Sequence, residues 1–266
     1  MKNLKTTQLQ PSFKVLLIGD SCIDRYVIGV VERLSQEAPV PVIKIINEYS
    51  LHGMSSNVKL NLENLGIEVL LITSNTEITK TRYIDNRSGQ HLIRVDDEPA
   101  VISWNSNLPN EKFDAIVISD YNKGFLTYEN IEYIIQSFAC PVIIDTKKKN
   151  LSRFSANNSI IKINEHESHS MVSVPSTLIV TLGEKGAMLK QGDQEKIYET
   201  NKVEVADVCG AGDTFLSAFT YKFLETMSIE QGIIFANLAS SITVQHRGNY
   251  APSHQEIFAL CLTNPK

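Results

Sequence analysis

Asp207-Val-Cys-Gly-Ala-Gly-Asp213-Thr214 is the stretch that decides how this chain reads. Three small residues, Gly210, Ala211 and Gly212, open a helical pattern that runs over 211–227. Small residues let backbone N–H groups come close to an anion, and the helix dipole favours negative charge there. Asp213 falls in the first turn. A carboxylate beside a phosphate site can take the proton of a hydroxyl nucleophile. One short motif thus offers an anion hole and a base. Taken alone, it fits equally an ordinary helix start with Asp213 as a first-turn charge. It is not a P-loop, because GxxxxGK[ST] does not occur in the sequence.

Moving outward, short apolar runs over 14–19, 67–72, 115–118, 142–144, 160–163 and 178–181 read as buried strands. Helical patterns over 55–65 and 128–138 separate several of them. Buried strands alternating with helices predict a mostly parallel sheet covered on both faces. The segments 26–31, 42–47, 80–85 and 91–95 are β-rich and partly alternating, which predicts a small second sheet. Beyond the carboxyl ends of the parallel strands, where open α/β folds bind ligands, such a sheet would act as a lid. Downstream, 229–245 is helical, and a last helix starts near 253. Residues 1–12 are expected to form a flexible arm and 13–266 a single domain, with lid strands from about 25–47 and 78–96.

The bulk numbers exclude some partners. The 266 residues carry a net charge of -5 and the pI is near 5.7, so nothing favours nucleic acid or an anionic membrane surface. The N-terminal residues lack the apolar core of a secretory signal, and no apolar run would span a bilayer. Cys22, Cys140, Cys209 and Cys261 show no zinc-ligand spacing. Free thiols in a reducing cytoplasm are the expectation.

The opening string resembles DxxGAGDT, the second signature of the ribokinase-like (PfkB-type) carbohydrate kinases, and the rest of the chain matches that family in order. Gly19-Asp-Ser-Cys-Ile-Asp24-Arg-Tyr is similar to its first strand and sugar-binding aspartate. Asn164-Glu-His-Glu167 is similar to its NxxE motif, and Thr181-Leu-Gly183-Glu-Lys-Gly186 to its nucleotide-binding turn. Within the family, the branch resembled is the kinase half of bifunctional ADP-heptose synthesis proteins, which phosphorylates D-glycero-β-D-manno-heptose 7-phosphate at C1. Asp24-Arg-Tyr, Glu37-Ala-Pro-Val-Pro-Val, Lys80-Thr-Arg82, Leu92-Ile-Arg94-Val-Asp96, Ser119-Asp-Tyr-Asn-Lys-Gly124 and Ile144-Asp-Thr-Lys147 carry that likeness. The likeness runs from about residue 14 to residue 257, without the nucleotidyltransferase half.

The resemblance implies a ribokinase-like α/β fold, a three-layer sandwich with a mostly parallel central sheet and a small β-sheet lid. It implies an ATP-dependent sugar kinase with Asp213 as base and the N–H groups of Gly210, Ala211 and Gly212 at the transferring phosphoryl group. Asn164 and Glu167 would position Mg²⁺ through water, with Glu165 and His166 beside ATP. Thr181, Gly183, Gly186 and Asn237 would line the nucleotide site. Asp24, Gly53 and Asn57 would meet the sugar, and Arg82 and Arg94 the phosphate it already bears, since guanidinium groups match phosphate oxygens. A monovalent cation is a further candidate cofactor. The implied partners are ATP, a small sugar or sugar phosphate, and a second copy docked through the lid. A separate nucleotidyltransferase is implied if the chain serves the ADP-heptose route. Neither nucleic acid nor membrane is a partner.

Plainer readings stand beside these. Asp24 fits a turn after a strand, Asn57 a polar helix position, Arg82 and Arg94 solvated strand charges, and Asn164 and Glu167 loop polarity. His166 and His169 read mainly as loop residues, Phe215, Phe219 and Phe223 as core, and Lys147-Lys-Lys149 as a solvated loop. Three departures from the family pattern matter. Gly53-Met54 stands where the family has Gly-Gly. A helix and strand are missing between residues 74 and 81. The stretch 167–177 is too short for the helices that follow NxxE. They leave open a kinase for another sugar or sugar phosphate, and a catalytically silent ligand-binding protein.

Overall fold

The computed structural model describes residues 13–263; the arm expected over 1–12 lies outside the described residues. The elements, in order, are β1 (Lys14–Gly19), β2 (Ser21–Leu34), β3 (Pro41–Met54), α1 (Ser55–Asn64), β4 (Glu68–Ile72), β5 (Thr79–Asp85), β6 (His91–Asp97), β7 (Ala115–Asp120), α2 (Tyr128–Ser137), β8 (Val142–Thr146), β9 (Ser159–Asn164), α3 (Glu165–Ser170), β10 (Thr177–Thr181), β11 (Ala187–Gln191), β12 (Gln194–Tyr198), α4 (Ala211–Thr226), α5 (Ile229–Thr243) and α6 (His254–Thr263).

An eight-stranded sheet has the order β12-β11-β10-β9-β8-β7-β1-β4. From β10 to β4 every pairing is parallel, and β11 and β12 are antiparallel additions. The period-two alternation of strands sorts the apolar residues onto two faces. Val15 and Leu17, with Val117 and Ile143, pack against α1, α4 and α5. Leu16 and Ile18, with Ile116 and Ile144, pack against Ile131 and Ile134 of α2. These runs are apolar at every position because both faces are covered. Phe215, Phe219 and Phe223 are core residues, as their helical spacing predicts.

A second sheet has the order β3-β2-β5-β6, with β2 parallel to β5 and its other pairs antiparallel. The expected ribokinase-like architecture, a mostly parallel sheet plus a small one, is therefore present. The strands of the small sheet run longer than their apolar patterning, because backbone pairing continues through charged residues such as Arg25 and Glu48. The β11–β12 hairpin was not anticipated. Its second strand is exposed except at Tyr198, and its charged residues interrupt any apolar run. Residues 73–78 alone join β4 to β5, so β4 is an edge of the large sheet, and residues 171–176 alone join α3 to β10.

The chain order reverses between β1 and β7, which lie side by side with β4 on the far side of β1. A ligand crevice forms at such a reversal, outside the carboxyl ends of the strands. Asp20 follows β1 there, and Tyr121 follows β7. On the opposite layer, α4 and α5 pack closely at Gly232, where a Cβ would stand 2.8 Å from ring carbons of Phe219. That ring is fully buried and cannot swing away. Gly232→Ala is expected to destabilise the fold by about 1–3 kcal/mol of overpacking, only partly offset by roughly 1 kcal/mol of helix propensity. A lower urea midpoint with an unchanged slope is the expected result, and an unchanged or higher midpoint would show that the helices separate freely.

Candidate active site

The loop before α4 is shaped by Asp207, whose carboxylate accepts the N–H of Cys209 at 3.0 Å and that of Gly248 at 3.0 Å. Gly210 then caps α4 with φ of 75°, in the left-handed region that glycine tolerates. A Cβ on Gly210 would stand 3.1 Å from Asn57 Nδ2 and 3.3 Å from Asn249 Oδ1, and one on Gly212 would stand 3.2 Å from Lys162 Nζ. The small residues therefore keep a cradle open between the helix N-terminus, α1, β9 and the C-terminal loop.

Asp213 lies buried at the floor of that cradle. Asn57 Nδ2 donates to its Oδ2 at 2.8 Å, and the Tyr121 hydroxyl to its Oδ1 at 2.6 Å. Burial pushes its carboxyl up to about 6, although both hydrogen bonds act against the rise. A carboxylate poised there is ionised at neutral pH and basic enough to accept a proton. The rotation of α4 is set by buried polar contacts. Thr214 Oγ1 donates to Asn61 Oδ1 at 2.9 Å, and Ser217 Oγ to the Val58 carbonyl at 3.1 Å.

Lys162 was missed by the sequence reading. It is buried in β9 and its ammonium pairs with Asp145 at 2.7 Å. Burial works to lower its pKa, but the Asp145 carboxylate prevails and holds it above the ordinary value. A lysine inside the apolar run Ser159-Ile-Ile-Lys-Ile-Asn164, two residues before the NxxE string, was the available signal. Lys148 corrects the expected solvated loop. It is buried, with Nζ 3.2 Å from Asp120 and 3.0 Å from Asn122 Oδ1, and Lys147 lies over the Tyr121 ring at 4.7 Å.

Asn164 and Glu167 form a reciprocal cap on α3: each side chain accepts the other's backbone N–H at 2.8 Å. Glu165 and His166 are both exposed in the turn they close. Thr181, Gly183, Gly186, Asn237, Ala211 and Gly212 line one cleft of about 400 Å³ together with Val205, Val208 and Phe215. Gly186 has φ of 92°, and a Cβ there would fall 2.1 Å from the Tyr198 carbonyl. Asn237 is pinned by donating to that same carbonyl at 2.8 Å. The cleft ends at the cradle, so a planar apolar group at Val205 and Val208 would direct an attached phosphate chain toward Gly212.

On the other side of the cradle, Asp24 is buried in β2 and paired with Arg82, and its Oδ2 accepts Asn249 Nδ2 at 3.0 Å. Gly53 is required there, since a Cβ would fall 2.3 Å from Asp24 Oδ2. The Arg82 guanidinium is buried over the Tyr26 ring, and it reaches Cys209 Sγ at 3.7 Å. It is committed to Asp24 and is not a solvated charge. Arg94 pairs in register with Arg82 across the strands, but its side chain turns to Asp96 in the exposed edge. Asn249 joins this group without any sequence signal, because its role comes from a loop remote in the chain. Met54, in place of the second glycine, keeps a glycine-like φ of 56° and buries its side chain with Cys22 and Ile78.

The sequence matches the pfkB family carbohydrate kinase profile over residues 54–256. The Bifunctional protein HldE of Helicobacter pylori (strain G27) is 32% identical over 319 residues, covering 95% of this chain and 67% of that protein. The Bifunctional protein HldE of Hydrogenovibrio crunogenus is 31% identical over 301 residues, covering 92% of this chain and 62% of that protein. This chain thus spans about two thirds of the length of these relatives. Among solved structures, the ribokinase of Thermotoga maritima superposes with a TM-score of 0.72 at 18% identity, covering 95% of this chain and 100% of that one. Phosphofructokinase-2 of Escherichia coli, solved in complex with potassium, superposes with a TM-score of 0.72 at 16% identity, covering 94% and 99%. The chain that builds this cradle, its buried carboxylate and the adjoining cleft thus belongs to the pfkB family of carbohydrate kinases.

Proposed function

We propose that this sugar kinase transfers the γ-phosphoryl group of ATP to the C1 hydroxyl of a heptose 7-phosphate, with Asp213 as the base. The observation that carries this reading is the Asp213 carboxylate, buried at the N-terminus of α4 beside Lys162 and the Gly210–Gly212 cradle. The acceptor hydroxyl gives its proton to Asp213 as its oxygen bonds to the γ-phosphorus, and the bond to the ADP oxygen breaks in line. Lys162 and the N–H groups of the first turn of α4 face the charge that spreads over the transferring group.

ATP occupies the cleft between Gly186, Asn237 and Gly212, and the sugar lies between Asp24, Asn57 and Asn249. Asn164 and Glu167 offer one amide oxygen and one carboxylate, already oriented by their mutual cap, a donor set that suits a magnesium ion keeping most of its waters. Bound there, magnesium would neutralise charge on the ATP phosphates. A monovalent cation is proposed as an activator, in line with the potassium complex of the Escherichia coli neighbour. Arg82 acts by holding Asp24 for the sugar hydroxyls. Arg94 remains the group proposed for the 7-phosphate, its partner Asp96 being exchangeable for a dianion at an exposed site. The heptose assignment draws on the two Bifunctional protein HldE relatives. If the protein serves the ADP-heptose route, a nucleotidyltransferase activity is proposed to act on its product.

Ile45, Ile46, Tyr49, Ile93 and Val95 on the small sheet are exposed. We propose that a second copy of the chain covers them.

Three outcomes are expected. In an ADP-release assay with magnesium-ATP and D-glycero-D-manno-heptose 7-phosphate, Asp213→Asn loses at least about a thousandfold in kcat while ATP still binds; near-normal turnover would overturn the base. Arg94→Ala raises KM for the phosphorylated sugar about tenfold or more and leaves the unphosphorylated heptose unaffected; equal effects on both would remove Arg94 from the phosphate site. Light scattering at micromolar concentration gives the mass of a dimer, and a clean monomer counts against the covered sheet.

A further inference from the structure

Tyr121 belongs to none of the roles above, yet it touches the reacting centre. Its hydroxyl donates to Asp213 Oδ1 at 2.6 Å. Burial foremost, and then the Asp213 charge, drive its own pKa well above the ordinary phenol value. The phenol therefore stays protonated and acts only as a donor toward this carboxylate.

Its place is built from several directions. Asp20, buried at the end of β1, accepts the N–H of Tyr121 at 2.9 Å and that of Lys123 at 3.3 Å. Asn122 takes a left-handed φ of 56°, held by Asp120 Oδ1 on its N–H at 3.0 Å and by Lys148 Nζ on its side chain at 3.0 Å. The Lys147 ammonium lies over the Tyr121 ring. The ring packs against the small cluster of Cys22, Met54 and Ile78. Met54 holds a backbone conformation that costs a non-glycine residue stability and persists only where surroundings enforce it. A glycine would be free of that cost but would leave a space beside Tyr121.

We propose that Tyr121 is a positioning residue for phosphoryl transfer: its phenol, wedged by Met54 and anchored through Asp20, fixes one oxygen of Asp213 and keeps the carboxylate ionised for the acceptor hydroxyl. This rests on the reading of Asp213 as the base. Asn57 holds the second oxygen, so removal of Tyr121 leaves a carboxylate tethered at one end. The other titratable groups facing Asp213 are Lys162 and Asp145 from the neighbouring strands, Cys22 from β2 and Cys209 from the loop before α4. Both thiols have pKa values raised by burial and stay protonated, so neither adds a charge beside the carboxylate.

Two measurements on Tyr121→Phe test the proposal. The first is the ¹³C carboxyl titration of Asp213, assigned by its absence in Asp213→Asn, which needs no turnover. The second is the pH profile of kcat/KM. In the wild type both are expected to report a midpoint near the value of about 6. In Tyr121→Phe both move up by about one pH unit, giving a loss of kcat/KM that approaches tenfold in acid and vanishes above about pH 8. Met54→Gly moves both in the same direction by less, and it serves if Tyr121→Phe fails to fold. A carboxyl midpoint that moves in a protein without sugar-dependent turnover would uphold the positioning and sink the kinase reading. An unmoved midpoint, a loss of rate equal at every pH, or a lowered KM with no change in profile would overturn the proposal, the last by showing that the phenol only blocks the acceptor.

Discussion

The constraint on which this structure turns is one carboxylate kept out of water. Taking Asp213 from 3.8 to about 6 corresponds to roughly 3 kcal/mol against the ionised form in the folded state. Protonated, the group is at ease in the fold; the stability this gives is full below 3.8 and is lost as pH rises through about 6. The surroundings limit that loss with an amide from α1 and a phenol from the loop after β7. Much of the polar architecture near the crevice serves this point. The contacts of Thr214 with Asn61 and of Ser217 with Val58 turn α4 so that its first-turn carboxylate faces the strand ends rather than solvent.

The topology supplies the rest of the setting. Because the chain reverses between β1 and β7, their carboxyl ends diverge and leave a crevice, and residues far apart in sequence meet over it. Asp20 and Tyr121 come from its two walls, Lys162 from β9, and Asp24 from the strand that rises out of β1 into the small sheet. Phosphoryl transfer demands little covalent chemistry from a protein and much positioning. A rigid parallel sheet with its polar groups gathered at one edge meets that demand.

The chain is shorter than its relatives' matched regions, since the alignment of 319 residues exceeds its own 266. Its connections after β4 and after α3 are short, residues 73–78 and 171–176, and lie away from the strand ends that form the cradle. Material that only covers a sheet edge is separable from the site, because the site is held by the central strands and by α4. Met54 is a different kind of departure. It retains the backbone conformation of a glycine and adds a side chain, and that side chain fills space beside the tyrosine that donates to Asp213.

Much was legible in the sequence by itself. Gly210-Ala-Gly-Asp213 could be read as an anion cradle with a base, because backbone freedom and helix polarity are local properties. The central strands were legible because burial on both faces leaves uninterrupted apolar runs. The β11–β12 hairpin was not, since only Ala187, Leu189 and Tyr198 of it are buried and they form no continuous apolar run. Only the tertiary structure decided how the charges pair. It committed Arg82 to Asp24, buried Lys148 against Asp120, set Lys162 over Gly212, brought Asn249 across from the C-terminal loop and laid Tyr121 on Asp213. The physical reason is that a charge or hydroxyl acquires its role from the partner it meets in a dry crevice, and that partner is chosen by packing between segments more than a hundred residues apart in the case of Asp24 and Asn249.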